Sequence, residues 1–166
     1  MEIDLNFSKI CMQCGMCCDG TLFTKANVKN REDELLVKSL GLTTFSTSDS
    51  KIYFEQPCQL FNKTCTIYDK PRPNCCSKFI CEPLQKVRTN EITFNDAENQ
   101  ILLALETRRQ VMEIASFITD YKNHTLRQLF TAITPKPSAE ILQHKQLFLK
   151  IVSLRVLLNK LTQKKS

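Results

Sequence analysis

The sequence predicts an α+β protein: a small cysteine-rich N-terminal half with a short antiparallel strand pair, followed by a helical C-terminal half. Three observations predict it. All nine cysteines of the 166 residues fall between Cys11 and Cys81. Short β-prone runs bounded by turn residues fall in that same stretch. From residue 93 onward the apolar residues recur at helical spacing. The expected division is a cysteine-cluster region over 1–92 and a helical region over 93–166 packed on it. A chain of this length is one domain's worth, and its 42% hydrophobic content is enough to bury a core.

Taken in order, residues 1–10 read as an extended lead-in, because Ile3, Leu5 and Phe7 alternate with polar neighbours. Cys11 to Gly20 form a first cysteine knuckle, with Gly15 supplying an unhindered backbone in the turn. A helix is expected from Ala26 to Leu40, ended by Gly41 as its C-cap. Its charged stretch, Lys29 to Glu34, reads as a solvated face. Thr43 to Ser50 is polar and reads as a loop. Lys51 to Glu55 and Thr64 to Tyr68 have strand character, with Pro57 and Asn62-Lys63 between them as turn residues. Paired antiparallel, they would set Cys58 and Cys65 on neighbouring backbone. Pro71 and Pro73 hold the chain extended through Arg72 into Cys75-Cys76.

In the second half, Asn95 and Glu98 offer a variant capping box. Ala97, Ile101, Ala104, Val111, Ala115 and Ile118 then form one helical stripe, interrupted by Arg108. A shorter helix holds Leu126, Leu129, Phe130 and Ile133, and Pro135 and Pro137 break it. Ser138 is placed to cap a last helix with Leu147, Ile151, Leu154, Leu158 and Leu161 on one stripe, widened by Phe148 and Val152. That stripe is expected to be buried, with a protein partner or a homodimer contact through this helix as the alternative. Lys160, Lys164 and Lys165 suit the negative end of the helix dipole.

Composition narrows the chemistry. The N-terminus lacks the basic start and apolar run of a secretory signal, and no run approaches the roughly 18 apolar residues of a membrane span. The expected compartment is the cytoplasm, where thiols stay reduced. An odd number of cysteines in a reducing compartment points to metal ligation rather than a disulfide framework. The net charge of +6 counts cysteines as neutral. Eight thiolates around two Zn²⁺ ions or two [4Fe–4S]²⁺ clusters would add about −4, so the excess is weak evidence for a polyanion. Lys and Arg are spread along the chain and there is no Trp, which argues against a zinc-ribbon nucleic-acid binder. With glycine only at 15, 20 and 41, no Gly-rich phosphate or dinucleotide loop is present.

The candidate ligands form two quartets: Cys11, Cys14, Cys17 and Cys18, then Cys58, Cys65, Cys76 and Cys81. Sulfur-only ligation selects zinc, Cu(I) or iron–sulfur clusters over oxygen-seeking cations. Structural zinc takes two C-x₂-C hooks from separate segments. The triple x₂ run Cys11, Cys14, Cys17 looks more like a loop around a cubane, so an iron–sulfur cluster is preferred and zinc stays open. Adjacent Cys17 and Cys18 fit if they point to different metals; a reactive thiol at either is the lesser alternative. His124 and His144 read as ordinary polar residues.

The run Cys11-x₂-Cys14-Gly15-x-Cys17-Cys18 resembles the signature of the YkgJ-type CxxCxxCC cysteine-cluster family, a zinc- or iron-chelating domain. Cys58, Cys65-Thr-Ile67-Tyr68 and Arg72-Pro73-x₂-Cys76-x₂-Phe79-x-Cys81 agree with it. The likeness covers residues 11–81 and extends loosely into the following helix. It implies metal chelation by those eight cysteines and little more; that the metal sites are structural and open to redox use is a separate expectation. Pro71 adds a residue before Arg72, and Ser77 stands where the family has Arg. Cys75 lies outside the pattern and reads as non-ligating, unless it replaces Cys76. Tyr68 and Arg72 either tune the sulfurs by hydrogen bonding or are plain core and surface residues. Some relatives with this cysteine pattern are flagellin lysine methylases, which are larger; no S-adenosylmethionine loop is recognisable here. That activity is not carried over; a metal- or cluster-dependent enzyme modifying a protein or peptide substrate is kept as the alternative to a metal-binding module.

Overall fold

The lead-in expected to be extended is helical from residue 2: α1 spans Glu2–Cys14. Phe7 and Ile10, three apart on one helical face, are both buried, and that burial overrides the local alternation. The computed structural model describes residues 2–133 and 142–162, with side chains of 2–5 and of Ile133 outside the description. The expectations for Pro135, Pro137, Ser138, Lys164 and Lys165 lie outside the described residues. The chain divides into two compact units, Met1–Ile80 and Cys81–Ser166.

In the first unit, β1 (Lys25–Val28) precedes α2 (Arg31–Ser39), so the expected helix from Ala26 begins five residues later. Asn30 sets that start, its side chain accepting from Asp33 N–H at 2.9 Å. The end lies one residue earlier than expected: Leu40, not Gly41, is the C-cap, and Gly41 follows it with φ +73°. β2 (Thr44–Ser46) lies in the segment expected to be a loop, with the Phe45 ring stacked on Tyr53 at 6.0 Å. β3 (Ile52–Glu55) is the central strand of an antiparallel sheet ordered β1-β3-β2. Ala26 and Thr44 both register with Phe54, whose side chain is buried with Val28, Val37 and Leu42 in a small apolar core.

The strand pairing expected between 51–55 and 64–68 does not form. β5 (Thr64–Cys65) pairs instead with β4 (Phe61–Asn62), across a turn at Lys63 with φ +59°. A hairpin closed over one residue costs less chain entropy than pairing across a longer loop. α3 (Asn74–Ser77) follows Pro73, whose φ of −50° and ψ of 146° keep the approach extended.

In the second unit, α4 (Glu82–Arg88) is an element the sequence reading omitted; Pro83 in its first turn is a start signal. α5 (Phe94–Ser116) is capped by Thr93 and Asp96, not by Asn95 and Glu98. A hydroxyl at the N-cap accepts from the N3 amide while the N3 carboxylate accepts from the N-cap amide, which residues 95 and 98 would do only one turn inside the helix. Ala97, Ile101, Ala104, Val111 and Ala115 are buried as expected, joined by Thr107. α6 (Leu126–Ile133) and α7 (Lys145–Thr162) complete the unit, with α7 packed on α5. Leu147, Phe148, Ile151, Leu154, Leu158 and Leu161 are buried on α7, whereas Val152 is not part of that face and is 55% exposed. Arg155 donates to the carbonyl of Phe130 and lies over its ring, tying α7 to α6. No described helix is long and apolar enough to cross a membrane.

Candidate metal centre

Cys11 and Cys14 stand three apart on the last turn of α1, so their side chains leave the helix on one face. The helix stops at Gly15, where φ is +61°. Cys18 N–H and Asp19 N–H both fold back onto the Gly15 carbonyl, at 2.8 and 3.0 Å, and carry Cys17 and Cys18 round the turn. Glycine is required twice over here. The left-handed φ disfavours any side chain, and a Cβ would lie 2.5 Å from the Phe61 ring.

That ring contact brings the β4–β5 hairpin against the knuckle, and Phe61 is the register partner of Cys65. Cys58 N–H donates to the Cys18 carbonyl at 2.7 Å, and Phe61 N–H to the Cys58 carbonyl at 3.0 Å. Cys58 and Cys76 also pack against the core around Val37 and Phe54. Four thiols from four separate segments, Cys18, Cys58, Cys65 and Cys76, thereby become neighbours: charge on each of the other three bears on Cys18, and charge on Cys76 and Cys65 bears on Cys58. Burial, followed by this mutual repulsion, pushes the Cys18 thiol up to about 12. Burial also raises Cys58, against a hydrogen bond from the Leu60 backbone.

Cys11 has different company. Burial raises its thiol, opposed by a hydrogen bond from Tyr68 and by the charge of Arg72. The Arg72 guanidinium lies 3.9 Å from the Tyr68 ring centroid. Tyr68 and Arg72 thus both bear on the Cys11 thiol. Cys14 and Cys17 are half-buried in the same turn. Cys81 opens the second unit as the N-cap of α4. His124 and His144 both meet the buried Tyr121 ring edge-on, at 5.6 and 5.7 Å, which is packing rather than ligation.

Cys75 and Cys76 share one turn of α3 with their sulfurs 3.8 Å apart. The hydrogen bond between them lowers Cys75 and raises Cys76, burial adding to the rise at Cys76. Of the two, it is Cys76 whose charge bears on Cys18 and Cys58.

One residue was missed by sequence reasoning. Asp33, in the stretch expected to be a solvated face, is 3% exposed and its charge bears on both Cys75 and Cys76. The available signal was the spacing Asn30-x₂-Asp33, a helix start with a carboxylate at the third position.

Among the described residues, no three Cys, His, Asp or Glu side chains stand close enough to hold one ion as they are. The thiols are neighbours, not a closed coordination sphere. Their chemistry nonetheless fits a soft cation. Sulfur donors prefer such ions, and the repulsion that raises Cys18 is what a bound cation relieves.

These features define a class: a small α+β protein whose polar chemistry is concentrated in half-buried thiols of the soft-metal type. Over residues 10–101 the chain matches the family described as "CxxCxxCC: putative zinc- or iron-chelating domain". It belongs to that family. No curated protein and no solved structure matches it.

Proposed function

We propose that this chain is an iron–sulfur-binding member of its family, with a centre held by Cys18, Cys58, Cys65 and Cys76 and a second thiolate set in Cys11, Cys14 and Cys17. Cys81 keeps the ligand role that the cysteine pattern gives it. The observation that carries the reading is the electrostatic coupling of Cys18 with Cys58, Cys65 and Cys76, from four segments of the first unit, with Cys58 N–H bonded to the Cys18 carbonyl at 2.7 Å. A bound cluster supplies electron-transfer chemistry and local cross-linking. The protein's own residues bury the sulfurs, bond Cys11 through Tyr68 and place the Arg72 charge beside it. That charge offsets thiolate repulsion and favours the deprotonated, ligating form.

Zinc is the second reading, favoured by the same observation, because structural zinc commonly draws its sulfurs from separated hooks. Elemental analysis with an absorption spectrum, on protein purified without oxygen, separates the two. Iron with inorganic sulfide and broad absorption at roughly 400 nm is the expected result. A featureless visible spectrum with about one or two zinc ions per chain would replace the cluster with zinc. A metal-free chain of normal fold would remove both.

A partner surface is the other part of the proposal. Leu149, Val152 and Val156 are 67%, 55% and 50% exposed on the side of α7 opposite its buried stripe. Spaced i, i+3, i+7, they form the kind of seam that an amphipathic helix of another protein, or a second copy of this one, would cover.

A further inference from the structure

Asp33 is the only buried charged residue among the described residues. Burying a carboxylate costs several kcal/mol, roughly, unless its oxygens are satisfied. Both are. Oδ2 accepts from Lys29 N–H at 3.0 Å, and Oδ1 accepts from Asn74 N–H at 2.8 Å, a bond that spans 41 positions of sequence. The first bond is local and belongs to the start of α2. The second is not needed by α2 at all.

Asn74 opens the turn that carries Cys75 and Cys76, and the residue before it, Pro73, makes no side-chain cap. The first amides of a helical turn have no partner within it. Asp33 therefore supplies from α2 the acceptor that local sequence withholds from α3. Its placement also runs against simple electrostatics, because it sets a negative charge beside Cys75 and Cys76, where thiolates would gather on a metal. A polar or neutral residue would be the easier occupant if this position served packing alone.

We propose that Asp33 is a positioning residue for the metal centre: it anchors the Asn74–Ser77 turn so that Cys76 faces Cys18 and Cys58. The inference rests on the metal-binding reading above. Groups that hold a ligand-bearing segment without touching the ion commonly contribute about 10–100-fold to metal affinity.

The test uses the full metal-loaded chain, with Asp33→Ala and Asp33→Asn beside wild type. Asp33→Asn keeps one acceptor oxygen for Asn74 N–H and serves as the milder variant should Asp33→Ala fold poorly. Two readouts are taken: metal loss to a chelator, and alkylation of each cysteine by iodoacetamide followed residue by residue by mass spectrometry. Expected for Asp33→Ala is about 10–100-fold weaker metal retention with a selective rise in alkylation of Cys76. Cys11 and Cys14 keep their wild-type protection, and Asp33→Asn falls between the two. A uniform rise at every cysteine in Asp33→Asn overturns the inference, since it reports general loosening. So does wild-type protection of Cys76 in both variants. A wild-type chain that carries no metal overturns the metal reading itself, an outcome visible before either variant is made.

Discussion

At the residue scale the adjacent pair Cys75 and Cys76 is the sharpest case. Both are half-buried on α3, and the hydrogen bond between their sulfurs makes Cys75 the more acidic in the metal-free chain. Acidity alone would therefore nominate Cys75 as the ligand, whereas electrostatic coupling nominates Cys76, whose charge bears on Cys18 and Cys58. Acidity is the weaker guide, because the cation itself lowers a thiol's pKa once bound. Cys76→Ser should then lower the metal content of the purified protein, and Cys75→Ser should leave it near wild type. Elemental analysis of both gives the answer; the reverse order would move the ligand role to Cys75. Gly15 poses a different constraint, one of space. Gly15→Ala would set a side chain on a left-handed backbone and drive it into the Phe61 ring. It should cost about 1–3 kcal/mol in a denaturant titration of the loaded protein. A midpoint equal to wild type would mean the knuckle and hairpin are not locked together as described.

Elements sort by how much of their reason for forming is local. α5 and α7 carry theirs in their own sequence, as stripes of apolar residues at helical spacing, and apart from Thr107 and Val152 the buried faces are the expected ones. β1 and β2 do not. Lys25–Val28 was legible only as the beginning of a helix, and Thr44–Ser46 only as a loop. Each becomes a strand because β3 offers it an edge, with Phe54 at the shared register position. On α7 the stripe was read one residue too wide. Val152 turns outward with Leu149 and Val156. Val152→Glu should therefore leave the melting temperature within about 2 °C, as exposed substitutions usually do. If a second copy covers this seam, the same variant should abolish self-association in light scattering. A strongly destabilised Val152→Glu would show that the side chain is internal.

Across the whole molecule the two units rest on different forces. The second has the apolar interior of a helical bundle. The first has a smaller apolar cluster, Val28, Val37, Leu42 and Phe54, with cysteines packed on its margin. Chelation should consequently act on one unit and spare the other. In hydrogen exchange, amides of residues 2–80 should lose protection on metal removal while those of α5 and α7 keep theirs. Equal loss in both units would contradict that division. The metal-free chain should also be sensitive to alkali. The Cys18 thiol rises in the fold from 9.0 to about 12, so the folded state holds that proton more tightly than the unfolded one. The stabilisation is fully present below pH 9.0 and disappears progressively as pH climbs towards about 12. Thermal melts of the metal-free protein across that window should fall. The loaded protein should resist, because its thiols are already deprotonated on the metal.

The sequence by itself determined the helical second half, the crowding of thiols into the first, and membership of a metal-chelating family. All three depend on residue type and on spacing along the chain, which a helix or a short knuckle converts directly into position. Tertiary structure alone decided that Phe61 pairs with Cys65, that Cys18, Cys58, Cys65 and Cys76 are neighbours, and that Asp33 reaches Asn74. The widest of those relations joins residues as distant in sequence as Cys18 and Cys76. Their free energy lies in burial and hydrogen bonds between segments, and no local pattern of residues encodes which distant segment will supply the partner.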